Sequence, residues 1–108
     1  MKPGVLSGDV YNAWHEIVAA AGMPDYHRHH CGYMVGIAFP PSWVGGSMVV
    51  GLAPNSKIEL KVGMVFHLHS WFTDTGGKGD YLVTNCAMIT ENGCEILTTE
   101  TPTHLQIR

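Results

Sequence analysis

Charge is scarce in this sequence. Only 14% of the residues are Asp, Glu, Lys or Arg, against about 25% in an average soluble domain. Six Lys and Arg are scattered along 108 residues and the net charge is −3, so no basic patch exists to neutralise phosphates, and no nucleic-acid partner is expected. No apolar run approaches the length of a membrane span, and Met1-Lys2-Pro3-Gly4 opens no apolar signal-peptide core. A soluble, cytoplasmic protein with no membrane partner is the expectation. Cysteine is also sparse. Cys31, Cys86 and Cys94 are odd in number and form no Cys-x-x-Cys pair, which argues against a disulfide framework or a zinc knuckle and for reduced thiols. Disorder is excluded by the 45% hydrophobic content. So little charge on so apolar a chain points instead to a surface that meets a partner.

The length allows one domain, spanning residues 1–108. Residues 7–21 read as its helix. Ser7 is placed to cap it, Asp9 suits its first turn, and Gly22 stands where a helix stops. Val10, Trp14, Ile17, Val18 and Ala21 recur at helical spacing as one apolar stripe. Alternation then predicts strands over residues 30–39, 64–72, 81–90 and 94–98, with a shorter one over 48–52. Pro40-Pro41 ends the first, Pro54-Asn55-Ser56 makes a turn, and residues 74–80 are a glycine-rich loop. Glu91-Asn92-Gly93 closes the last hairpin. One helix followed by antiparallel strands defines an α+β domain.

Histidine is the excess. Five of seven lie in two clusters: His27, His29 and His30, then His67 and His69. On a strand, His67 and His69 project from one face about 7 Å apart, together with Val65 and Trp71. That spacing suits a shared metal and permits a cupin-like His-x-His reading, although no carboxylate nearer than Asp74 follows the pair. Beside it stands the plainer reading of polar residues on a half-solvated strand face. His29-His30-Cys31 holds imidazoles and a thiol in sequence, but adjacent strand residues do not face one another, and no cysteine sits on a nucleophile elbow. Trp14 belongs to the core. Trp43, in Pro41-Ser42-Trp43-Val44-Gly45-Gly46, is placed to line a pocket.

The order of these pieces resembles the second half of the pita-bread catalytic domain shared by aminopeptidase P, prolidase, methionine aminopeptidase and creatinase. His29-His30-Cys31-Gly32-Tyr33-Met34-Val35-Gly36-Ile37 is similar to that family's HGxGHxxGL strand, and Leu60-Lys61-Val62-Gly63-Met64-Val65-Phe66 to its LxPGMVF segment. Residues 87–98, ending in Glu91-Asn92-Gly93-Cys94-Glu95-Ile96-Leu97-Thr98, resemble VLVTExGxExLT. Arg28 with Gly32-Tyr33, the Pro40-Pro41-Ser42-Trp43 loop and Phe66-His67 look closest to the creatinase and ectoine-hydrolase side.

The resemblance implies half of a pita-bread fold, one long helix packed on a curved antiparallel sheet. Members commonly use two divalent metals held by two Asp, one His and two Glu, with both Asp in the first half of the domain. In this sequence the matched histidine ligand falls at Tyr33, the two glutamates at His69 and Thr84, the upstream active-site histidine at His29, and the later substrate-contacting histidine at Pro40. Only His69 remains a metal donor, so no cofactor is expected for this chain. The implied function is a hydrolase acting on C–N bonds of small peptides or amidino compounds. His29, His67 and His69 are its acid–base candidates, Tyr33 is a donor to an oxyanion, and Trp43, Trp71 and Thr84 are substrate contacts. A catalytically silent pita-bread binding module is the alternative. As one half of a domain, the chain is expected to form a homo-oligomer or to join a separate N-terminal half.

Overall fold

In the computed structural model, which describes residues 1–36, 51–100 and 102, helix α1 spans Ser7–Ala20. Its N-cap is Leu6, with no side-chain cap, rather than Ser7. The reason lies in the neighbouring chain. Ser7 N–H donates to the Ile58 carbonyl (2.8 Å) and Gly8 N–H to the Ser56 carbonyl (3.0 Å), so backbone from residues 56–58 satisfies amides that a free helix would leave orphaned. Ser7 is thereby fully buried, and its hydroxyl donates to Ser56 Oγ at 2.6 Å. The Pro54-Asn55 turn presents this segment, with Asn55 at φ 62° and Ser56 N–H on the Ala53 carbonyl.

The helix stops as the sequence implies. Gly22 takes φ +95° and donates to Ala19, while Met23 N–H reaches back to Val18. This is a Schellman ending, and it needs a residue tolerant of the left-handed region. The buried stripe differs from the expected one. Tyr11 and Val18 are buried, Val10 and Trp14 pack against the core, and Ile17 is 72% exposed. The helix enters against residues 56–60, which rotates Ser7 and Tyr11 inward and carries Ile17 to solvent.

The described strands are β1 (Gly32–Val35), β2 (Val65–Phe72), β3 (Tyr81–Thr90) and β4 (Gly93–Ile96). They form one antiparallel sheet in the order β1-β2-β3-β4. β3 has the predicted bounds. β1 begins at Gly32 rather than residue 30, because the backbone of residues 27–30 is held elsewhere. The last hairpin turns through Glu91 and Asn92 with Thr90 paired to Gly93, and it needs no positive φ at Asn92. Residues 37–39 of the first predicted strand, the loop with Trp43, and most of the short strand over 48–52 lie outside the described residues.

Register settles which side chains meet the helix. Gly32 opposes Leu68, Met34 opposes Phe66, and Phe66 opposes Ala87. That face joins Tyr11, Cys31, Leu52, Leu60, Phe66 and Ile89 in the core. Burying a side chain the size of Leu or Phe contributes about 1.5–3 kcal/mol, and Leu52, Leu60 and Phe66 are each 0% exposed. The opposite face of the same strands carries the histidines.

Candidate functional site

Strand alternation puts Tyr33, His67, His69, Trp71, Thr84 and Cys86 on the sheet face away from α1. Tyr33 pairs with His67, His67 with Cys86, and His69 with Thr84. Tyr33 and His69 ring centroids are 5.6 Å apart, and those of His67 and His69 are 5.7 Å apart. Cys86 Sγ lies 3.9 Å from His67 Nδ1. Thus Tyr33, His67, His69 and Thr84 stand together on one face of the sheet. Trp71 continues the same row, exposed and stacked beneath Arg28.

His30 completes the group. Its Nδ1 lies 3.0 Å from Nε2 of His69, with the rings nearly parallel at 4.8 Å. His29 packs edge-on against His30 at 4.1 Å. The expectation that neighbouring histidines cannot face one another therefore fails here. It assumed strand geometry, whereas residues 27–30 precede β1 and are irregular. Two hydrogen bonds hold that path: Tyr11 hydroxyl donates to the Arg28 carbonyl (2.8 Å) and accepts from Arg28 N–H (3.2 Å). His27 turns away and stacks on His15 at 4.4 Å, so it is not part of this group.

Burial lowers the pKa of His30 to about 4, helped by the neighbouring charges of His29, His69 and Arg28. His69 is lowered as well, chiefly by burial, then by His67, Arg28 and His29. Both rings are therefore neutral at pH 7. A neutral imidazole has one N–H and one lone pair. In the shared hydrogen bond one ring gives its N–H and the other its lone pair. The two outer nitrogens, His69 Nδ1 and His30 Nε2, must then be one acceptor and one donor. The pair presents a base and an acid side by side, whichever tautomer it adopts.

Sequence reasoning overlooked His30 and Arg28 as site residues. The signal was present, since both adjoin His29, but the chain path that turns them onto this face depends on Tyr11. Trp43 lies outside the described residues. A cleft of about 240 Å³ on the helix side of the sheet is lined by Val10, Trp14, Leu68 and Val83 among others, and His69 also borders it.

This architecture defines an α+β domain of the pita-bread type. The chain is similar to dipeptidase PepE from Mycobacterium ulcerans, with a TM-score of 0.74 and 23% identity over 96% of this chain and 26% of that one. It is also similar to prolidase from Pyrococcus furiosus, with a TM-score of 0.70 and 27% identity over 91% and 27%. The chain belongs to metallopeptidase family M24, whose model matches residues 1–91. It is 35% identical over 98 residues to the ectoine hydrolase of Halomonas elongata, covering 89% of this chain and 23% of that relative. A second relative, an uncharacterized hydrolase/peptidase of Sinorhizobium fredii, is 32% identical over 100 residues. The chain spans about a quarter of the length of these relatives. The cupin-like reading of His67 and His69 gives way to this family.

A metallopeptidase family implies metal ions, and the resemblance puts ligands at Tyr33, His69 and Thr84. These positions are neighbours on β1, β2 and β3, but a phenol and an aliphatic hydroxyl are weak ligands for a divalent ion. Among the described residues no three His, Cys, Asp or Glu side chains are arranged to hold one. The segments beyond them contain no Asp or Glu. The matched positions Tyr33, His69 and Thr84 themselves offer no carboxylate to bridge a metal pair.

Proposed function

We propose that this chain forms part of an M24 hydrolase domain, residues 1–108 supplying its second half, which acts on C–N bonds of small peptides or amidino compounds by histidine acid–base chemistry. The His30–His69 pair carries this reading. Its outer acceptor removes a proton from the attacking water, and its outer donor delivers one to the leaving nitrogen. His29, packed on His30, orients the pair, and His67 borders the same space. Tyr33 donates to the developing oxyanion, while Trp71 and Thr84 flank the substrate. Three free cysteines fit a reducing compartment such as the cytoplasm.

The test is hydrolysis of Xaa-Pro dipeptides and cyclic amidines by the chain, alone and mixed with the N-terminal half of an M24 domain. Turnover is expected from the assembled protein. His69→Asn and His30→Ala should each lower kcat/KM by roughly 100-fold, in the range for removing a general acid or base. Unchanged rates in both variants would remove the pair from the mechanism. A silent binding module is the second reading, favoured by the lack of carboxylates at the matched ligand positions. Substrate binding without turnover in every assembly supports it.

A further inference from the structure

We propose that Cys86 and His67 form a thiol–imidazole modification site, at which a small disulfide is captured as a mixed disulfide on Cys86. The hydrolytic reading leaves this thiol without a task.

Register sets Cys86 of β3 directly opposite His67 of β2, and Cys86 Sγ lies 3.9 Å from His67 Nδ1. The backbone beneath the thiol is fixed. Cys86 N–H donates to Thr98 Oγ1 at 2.9 Å, the Thr98 hydroxyl donates in turn to Asn85 Oδ1 at 3.0 Å, and the Cys86 carbonyl accepts from Leu97 N–H at 2.7 Å. Both backbone groups of Cys86 are thus turned towards the segment after β4. His67 and Cys86 are therefore a non-hydrogen-bonded pair across β2 and β3, the arrangement that brings opposed side chains closer. A nucleophile and its base are held in reach of each other before any reagent arrives.

The three cysteines differ in setting. Cys31 is sealed in the core. Cys94 is exposed but stands opposite Ile89, a core residue, and so on the other face of the sheet. Among the described residues Cys86 is the cysteine with an imidazole at its sulfur. Neither other thiol can reach it, so the sulfur that bonds to Cys86 comes from outside the chain. The groups that face His67 are Tyr33 from β1 and His69 from its own strand, with ring centroids at 5.2 and 5.7 Å, and Cys86 from β3. In the exchange His67 Nδ1 takes the thiol proton while Cys86 Sγ attacks one sulfur of the disulfide. The new S–S bond forms as the old one breaks, and the bond's electron pair leaves with the second sulfur as a thiolate, which recovers the proton from His67. Cys86 is oxidised, and half of the disulfide is reduced to a free thiol.

The experiment treats the full chain with bis(2-hydroxyethyl) disulfide, an uncharged probe, and follows the adduct at each cysteine by peptide mass spectrometry between pH 8 and pH 6. An unassisted thiol reacts only as its thiolate, so Cys94 should slow roughly 100-fold over that range. Cys86 should slow by no more than about fivefold, because its rate follows the neutral fraction of an imidazole. His67→Gln should make the Cys86 profile as steep as that of Cys94. Continued protection of Cys31 reports that the variant is folded. Should it unfold, the comparison of Cys86 with Cys94 in the wild type decides, since it needs no variant. The proposal is overturned if Cys86 slows as steeply as Cys94 in the wild type, if a folded His67→Gln chain keeps the shallow profile, or if Cys86 takes no adduct while Cys31 stays protected. Adducts are read without turnover, so failure here leaves the hydrolase reading standing, and an inactive chain leaves the modification site standing.

Discussion

His30 ties the candidate chemistry to acid stability. Its pKa in the folded protein is about 4, below the usual value near 6.5. Between those values the unfolded chain binds a proton that the folded chain does not, so stability rises with pH across that window. The contribution is complete above about pH 6.5 and is lost as the pH falls towards 4. Burial of His69 acts in the same direction. Urea unfolding between pH 7 and pH 4.5 should therefore show a steeper loss for the wild type than for His30→Gln, and parallel losses would assign the effect to other groups. Cys31 makes a second case. Burial pushes its thiol up to about 11, whereas Cys94 is exposed. Thiolate is the reactive form, so iodoacetamide at pH 8 should modify Cys94 first and Cys31 only when the chain unfolds. Fast labelling of Cys31 in the folded protein would contradict the described packing.

Among the elements, β1 is held closely by what lies around it. A methyl group added at Gly32 would stand 2.7 Å from the His67 carbonyl oxygen and 3.0 Å from Leu52 Cδ1. The His67 backbone cannot retreat without breaking the β1–β2 register that pairs Tyr33 with His67. Gly32→Ala should lower stability by about 1–3 kcal/mol, the range for overpacking a filled site, and a denaturation midpoint unchanged from wild type would show that β1 can shift. Helix α1 contributes through Tyr11 more than through its predicted stripe. That one side chain fills the core and directs residues 27–30, and so links helix packing to site geometry.

At the scale of the molecule, among the described residues the sheet is covered by α1 on one face only. The other face carries the imidazoles together with exposed Trp71 and Leu82. Among the described strands β1 and β4 are outermost; Gly51 and Leu52 bridge the outer side of β1, and an edge such as β4 presents N–H and C=O groups that favour pairing with another chain. The isolated chain is expected to associate, as a homodimer or with a complementary half-domain. Sedimentation equilibrium at micromolar concentration checks this, and a single cooperative species near 11.8 kDa would show that the chain is sufficient alone. No helix among the described residues is long and apolar enough to cross a membrane.

The sequence by itself determined the elements whose signal is local. The Gly22 stop, the bounds of β3, the Asn55 turn and the shared face of His67 and His69 all follow from residue type and the period of the backbone. The motif order in residues 29–37, 60–66 and 87–98 carried the family. Tertiary structure decided the rest. Ser7 was drawn inward by carbonyls fifty residues away, Ile17 was turned outward by the angle at which the helix enters, and His30 met His69 only because Tyr11 bends an irregular segment across β2. Periodicity reports which way a side chain points within its own element. Which element waits there depends on contacts between distant parts of the chain, and those form only when the core closes.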